Sequence, residues 1–297
     1  MREIANGVTC VPIGFVNAYL VSEGGRWFLV DTGILRQAEK IRQCAEDLFG
    51  AGTKPEFIVL THGHFDHAGS AQELAEMWDV PIYAHRLELP YLTGRDVYPP
   101  FDPTVGGPLA FVLRFLPRGK FDLSPRIHDL SELEQPLLGE WQVIESPGHA
   151  PGHISLWRDK DKTLVAGDAW TTIDVNTWSG ALKGPDVYPT AFTATCDFDA
   201  VKRSMQVLAE LRPRVLACGH GVPMAGSDVA DEMQMEADEF VPPGGRYEFQ
   251  PAQTDEYGVL TLPAKPFDWK GKLGYSLLAL WLLRKVGKAR KKRRARA

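Results

Sequence analysis

Hydrophobic and polar positions change their period several times along the chain, and each change marks an element. Val8 to Ile13, Asn17 to Ser22 and Trp27 to Asp31 are short apolar runs separated by Gly14 and by Gly24-Gly25, which predicts a meander of three strands. Ile34, Ala38, Ile41, Ala45 and Leu48 then recur at steps of four and three, the period of an amphipathic helix closed by Gly50 and Gly52. Its polar face carries Arg36, Glu39, Lys40, Arg42 and Glu46 and needs no function beyond solubility.

A second strand and helix pair follows. Phe57 to Leu60 is an apolar run, and Ala71, Leu74, Ala75, Met77 and Trp78 have helical spacing. Pro81 to Ala84 predicts another strand, ending in His85, a lone imidazole with a structural reading. After a long interruption the alternation returns at Trp141 to Glu145, His153 to Trp157 and Thr163 to Gly167. Asp197 caps a helix whose apolar positions are Val201, Met205, Leu208 and Leu211 and which stops at Pro213. A strand at Arg214 to Cys218 and a helix from about Ser227 to Phe240 complete this part.

Two stretches break the rhythm. Residues 86–130 hold prolines at 90, 99, 100, 103, 108, 117 and 125, which exclude long regular elements, yet Tyr91, Tyr98, Phe101, Phe111 and Phe115 are too apolar for a free linker. Long loops in compact domains tend to bind something. Both this insert and a second at 170–195, with Trp178, Tyr188 and Phe192, are expected to wall a substrate pocket; a dimer contact is the other reading of the first.

The domain division follows from the same pattern: a catalytic unit over 1–240, a Pro/Gly-containing extension over 241–270 opened by Val241-Pro-Pro-Gly-Gly245, and an apolar segment with a basic tail over 271–297. Leu273 to Leu283 is free of charge but too short to span a bilayer, which takes about 20 apolar residues. It reads either as a helix covering the body or a dimer partner, or as a peripheral anchor on anionic lipid.

Composition narrows the class. The chain is 44% hydrophobic and 24% charged, ordinary for a soluble globule. Cys10, Cys44, Cys196 and Cys218 have no paired spacing, and the N-terminus has no apolar signal stretch, so reduced thiols in a cytoplasmic protein are expected. Nine Lys or Arg after residue 283 mean that the net charge of -5 hides a body of -14, from 24 basic and 38 acidic residues. Such a body offers no nucleic-acid surface.

The chemistry concentrates in Thr61-His-Gly-His-Phe-Asp-His-Ala-Gly69. Neutral imidazole and ionised carboxylate are ligands for a borderline divalent metal, and a solvated loop has no reason to carry His62, His64, Asp66 and His67 together. Further candidate ligands, His149, Asp168 and His220, each follow a short apolar strand and lie beside glycine. His153, four residues after His149, reads as a supporting residue, and Cys218, two before His220, either faces the site or is packed.

In their order, His-x-His-x-Asp-His, a lone His, a lone Asp and a last His, these residues resemble the metallo-β-lactamase superfamily over roughly Val8 to Asp238. The resemblance implies an α/β fold, a four-layer αβ/βα sandwich of two mixed sheets flanked by helices. It implies two divalent ions, zinc first with manganese or iron as alternatives. His62, His64 and His149 would hold one, Asp66, His67 and His220 the other, with Asp168 bridging. Asp31 would lie beneath them as a partner that fixes ligand tautomers, or else acts as a carboxylate at a helix N-terminus.

The implied function is hydrolysis of an ester-like bond (ester, thioester, lactone or phosphodiester) in a small molecule by a bridging hydroxide, with Asp66 and Asp168 as the catalytic carboxylates. Thr171 stands where N-acyl-homoserine lactonases of the superfamily carry Tyr, and Gly-Val-Pro-Met after His220 lacks the basic residues that hold glutathione in glyoxalase II. Asp168 with His67 departs from the antibiotic-cleaving branch. The alternative is a mononuclear iron oxidoreductase resembling persulfide dioxygenases.

Overall fold

The computed structural model describes residues 1–113 and 121–268, so the apolar segment and basic tail expected over 271–297 lie outside the described residues. Seven strands form the first sheet in sequence order: β1 (Arg2–Ala5), β2 (Val8–Ile13), β3 (Val16–Glu23), β4 (Arg26–Val30), β5 (Ile58–Val59), β6 (Ile82–Ala84) and β7 (Ile127–Asp129). The first four run antiparallel, as their tight glycine turns require, and β4 to β7 run parallel because helices or the long insert intervene. Helices α1 (Ala38–Phe49) and α2 (Ala71–Trp78) cover its outer face. Among the described residues of the insert lie α3 (Leu89–Leu92) and α4 (Gly107–Leu113).

The second sheet has the order β14-β13-β10-β9-β8, built from β8 (Gln142–Glu145), β9 (Ile154–Arg158), β10 (Thr163–Gly167), β13 (Val215–Cys218) and β14 (Met224–Ala225). A small ribbon, β11 (Trp170–Thr171) with β12 (Tyr188–Pro189), belongs to the second insert. Helices α5 (Phe198–Glu210) and α6 (Val229–Glu239) pack on the sheet's outside through Phe198, Met205, Leu208 and Met233. Asp197 caps α5 by accepting the Ala200 N–H, the role its position predicts.

Between the sheets, Tyr19, Phe28, Val30 and Val59 of one meet Trp141, Ile154, Leu156 and Val165 of the other in a shared core. The result is the four-layer αβ/βα sandwich, with helix, sheet, sheet and helix in order.

The sequence places three helix positions differently from the structure. The pattern predicts α1 from Ile34, but residues 31–37 form a loop instead, because Thr32 donates to the His67 carbonyl and Gly69 to the Gly33 carbonyl. Leu48, expected on the buried face, is exposed, and Phe49 turns inward to stack on Trp27 at 5.1 Å. Met77 is exposed in the same way on α2.

Residues 241–268 return across the body. The Arg246 N–H donates to the Asp102 carboxylate, the Tyr247 hydroxyl to the Pro100 carbonyl at 2.9 Å and the Val259 N–H to Asp96 at 2.7 Å. Ala252 donates to the Cys196 carbonyl at 2.9 Å, and Tyr247 and Ala252 join the core beneath α5 and α6. This stretch, which carries the hairpin β15 (Gln253–Asp255) and β16 (Gly258–Thr261), bonds to the first insert and to Cys196, just past the second. No helix of the described residues is long and apolar enough to cross a membrane.

Candidate metal centre

Asp31 and each candidate ligand sit just beyond the C-terminal end of a strand: Asp31 after β4, the 62–67 cluster after β5, His149 after β8, Asp168 after β10 and His220 after β13. Carboxyl ends of strands are where α/β folds leave a crevice with free backbone groups. The structure brings all seven proposed ligands together in groups: His62, His64 and His149; Asp66, His67 and His220; and, joining them, His62, His67 and Asp168, with the ligand atoms of each group within 4.8 Å of one another.

The imidazoles are held by their outer nitrogens. Asp31 accepts from the Thr61 N–H and the Thr61 hydroxyl, each at 2.8 Å, and lies 2.8 Å from His67 Nδ1. The Thr61 hydroxyl, its proton committed to Asp31, is left to accept from His62 Nδ1 at 3.1 Å. His149 Nδ1 meets the Thr190 hydroxyl at 2.9 Å, and His220 Nδ1 donates to the Phe15 carbonyl at 2.9 Å. With Nδ1 engaged outward, Nε2 of His62, His67, His149 and His220 is the nitrogen left to face inward.

Those inward atoms crowd one another. His64 Nδ1 lies 3.0 Å from Nε2 of both His62 and His149. Asp168 sits between the two groups, with Oδ1 3.4 Å from His67 Nε2 and Oδ2 3.5 Å from His149 Nε2 and 3.2 Å from His220 Nε2. Asp66 Oδ2 is 3.5 Å from His220 Nε2. A tetrahedral ion with bonds of about 2.0–2.1 Å needs ligand atoms about 3.4 Å apart, so the spacings suit one.

His67 Nε2 and Asp168 Oδ1 are buried with no hydrogen-bond partner among the described residues. Two such atoms facing each other in a buried site need a proton or a cation between them, and a metal ion satisfies both at once. The donor set of imidazoles and carboxylates therefore fits a divalent metal.

Electrostatics divide the cluster. Burial holds His62 and His149 well below the ordinary imidazole range and His64 at about 4, so these three imidazoles are neutral at pH 7. Burial opposes charge on His67 and His220 too, but Asp168 and Asp31 beside the first, and Asp168 and Asp66 beside the second, override it; His220 is raised to about 10. Burial would likewise raise Asp168, but His220 and His67 hold it well below the carboxylate range. Asp66 is lowered for the same reason.

Backbone geometry reinforces the arrangement. Asp31 has φ 58°, a left-handed conformation costing on the order of 1–3 kcal/mol in a residue other than glycine, which aims its carboxylate at Thr61 and His67. Gly219 is required by close approach, because a Cβ there would lie 2.1 Å from Asp168 Oδ1. His153, expected to support the site, accepts the Asp168 N–H at 2.9 Å through Nε2 and meets the Ser146 hydroxyl with Nδ1, while burial keeps it neutral, at about 3. Cys218 turns away into the core under α5, and burial pushes its thiol up. His85 lies outside the ligand groups, 3.4 Å from Glu145.

Sequence reasoning missed Thr190, which meets His149, and a second residue of consequence. Glu88, fully buried in the first insert, accepts the Gly63 N–H at 2.9 Å, the Gly152 N–H at 2.6 Å and the Tyr98 hydroxyl. Gly63 lies between His62 and His64, and Gly152 three residues after His149, so one carboxylate ties the two loops that carry the first ligand group. A lone Glu four residues past a strand end carries no signal of this; only its contacts do.

Above the cluster lies a cavity of about 920 Å3 whose floor includes His64, Asp66, His149, Asp168 and His220. Its walls come from both inserts, the β2–β3 turn and the loop after His220.

Comparison with known proteins agrees with this geometry. Residues 11–220 match the metallo-beta-lactamase superfamily profile. A probable metallo-hydrolase of Bacillus subtilis, YflN, is 40% identical over 242 residues, covering 78% of this chain and 90% of its own length. A second, YybB, is 27% identical and covers 69% of this chain and 80% of its own. Among solved structures, TTHA1623 in a di-iron-bound form is 28% identical with a TM-score of 0.52, covering 77% of this chain and 96% of its own. The B3 metallo-beta-lactamase BLEG-1, 22% identical with a TM-score of 0.55 over 78% of this chain and 97% of its own, shares the fold. With a profile match over most of its length and a 40% identical relative spanning 78% of it, this chain belongs to the metallo-β-lactamase superfamily, among proteins named as probable metal-dependent hydrolases.

Proposed function

We propose that the chain is a cytoplasmic binuclear metal-dependent hydrolase that cleaves an ester-like bond of a small molecule at the floor of the 920 Å3 cavity. The observation that carries this reading is Asp168, whose two carboxylate oxygens face ligand nitrogens of both groups. His62, His64 and His149 would hold one ion, Asp66, His67 and His220 the other, and Asp168 both. Zinc suits this donor set, and manganese and iron are the alternatives. Such ions, when bound, supply Lewis acidity and a water acidic enough to serve as a nucleophile at neutral pH.

The chain's own residues do the rest. Asp31, Thr61, Thr190 and the Phe15 carbonyl hold the imidazoles in one tautomer, so no reorganisation is needed when charge develops. Asp168 is deeply buried and anchors. Asp66 lines the cavity with its carboxylate partly open, which places it to accept a proton and return it to the leaving group. Tyr98 and Phe101 pack beside His64, at 4.8 and 5.7 Å between ring centres, and keep water from that side.

The test is elemental mass spectrometry on protein purified without chelator, together with ester, thioester, lactone and phosphodiester substrates. About two zinc, manganese or iron ions per chain with turnover of one bond type is the expected result. One iron per chain and no hydrolysis would replace this reading with the iron oxidoreductase.

A further inference from the structure

The walls of the cavity have a character that its floor does not require. Phe15 comes from the β2–β3 turn, Val112 and Leu113 from α4, Ile173 and Trp178 from the second insert and Val222 from the loop after His220. Four separate segments thus converge with large apolar side chains around one opening. Several of these remain in water: Trp178 is 70% exposed and Phe15 59%. Single exposed apolar residues are ordinary, but a contiguous set around a cavity marks a binding site.

The charges point the same way. Among the described residues that line the cavity, Arg2 is the only Lys or Arg. The carboxylates are Asp66 and Asp168, which belong to the cluster, and Asp174, which is bonded to Lys183 at 2.6 Å and to Thr177. Recognition of a phosphate or carboxylate uses several converging donors, and the described walls do not assemble them. At about 920 Å3 the space is at the upper end for a small-molecule site, far more than an acetyl group needs.

We propose that the cavity selects a substrate with a long uncharged apolar arm, an acyl or alkyl chain that lies against these walls, with its ester-like bond over the cluster. The bond rests on the hydrolase reading above; the arm rests on the walls alone. In the reaction, water adds across the acyl C–O bond, its hydroxyl joining the acyl carbon and its proton the departing oxygen, to give a carboxylic acid and an alcohol. The arm contributes binding remote from the reacting atoms, up to about fourfold per buried methylene.

The test separates arm from bond. Full-length, metal-loaded protein is titrated calorimetrically with 1-butanol and 1-octanol, and turnover of p-nitrophenyl acetate and octanoate is measured. The expected results are octanol binding at least about tenfold tighter than butanol with a negative heat-capacity change, and a kcat/KM at least about tenfold higher for octanoate. Val112→Asp and Trp178→Ser, both at exposed positions, should each erode both preferences while metal content and melting temperature hold. Equal binding of the two alcohols, or an octanol preference that neither variant touches, overturns the proposal. Length-selective alcohol binding without ester turnover keeps the arm and sinks the bond assignment; turnover indifferent to chain length, with no alcohol preference, does the reverse.

Discussion

Around Asp168 the imidazoles are fixed by directional hydrogen bonds, whereas around Trp178 and Val112, within the same cavity, large apolar faces stand in water. The floor is built from strand ends of the two sheets, fixed by the shared core and by hydrogen bonds of 2.6–3.1 Å. The mouth is built from inserts and turns that contribute surface area instead of directional bonds. Directional contacts fail abruptly when one partner goes, because the other is left buried and unpaired. Area fails in proportion to what is removed. A fold of this kind can therefore keep its chemistry while its specificity changes, since the two depend on different forces in different segments.

The sharpest way to break the comparison is to remove the residue that joins the two ligand groups. Asp168→Ala should lower turnover by about 10^3 or more, the loss of several kcal/mol of metal-derived stabilisation, and should reduce metal content at the same time. Elemental analysis beside kcat checks this, and a variant that retains both metal and rate would refute the bridging role.

A smaller effect should follow from Glu88→Ala, which leaves Gly63 and Gly152 without their acceptor while touching no ligand. Metal affinity should weaken about 10–100-fold, with partial recovery in Glu88→Gln, whose amide oxygen still accepts one of the two N–H groups. A lowered melting temperature with unchanged metal affinity of the folded protein would make Glu88 a packing residue only.

The smallest effect belongs to the mouth. Trp178→Ser should cost about fourfold in kcat/KM for an octanoyl ester and leave acetyl ester turnover and metal content as they were. A loss shared equally by both esters would mean that the mouth and floor are not separable.

What could be read in advance follows the same divide. The candidate ligands were legible because seven donor residues, each set after an apolar run, make a pattern that neither packing nor solubility produces; Asp66-His67 and Asp168 beside Gly167 are its clearest parts. The start of α1 was not, because Ile34 fits the helical period and nothing local reveals that residues 31–37 are held against the His67 loop. Glu88 and Thr190 escaped for a related reason. Each is an ordinary polar residue in an irregular insert, and its importance lies in a partner 25 or more positions away. Nor did Val241-Pro-Pro-Gly-Gly245 show that the chain beyond it would return to bond Asp96 and Asp102.

The sequence by itself determined the periodicities that make two sheets and four major helices, and it set donor-rich turns at their strand ends, because side-chain spacing and ligand chemistry are local properties. Only the tertiary structure decided which imidazole nitrogen faces inward, which carboxylate ties two loops together, and that four separate apolar segments close on one opening. Those outcomes depend on contacts between residues far apart in the chain, and the energy of such contacts is defined by distance and burial, which no stretch of sequence contains.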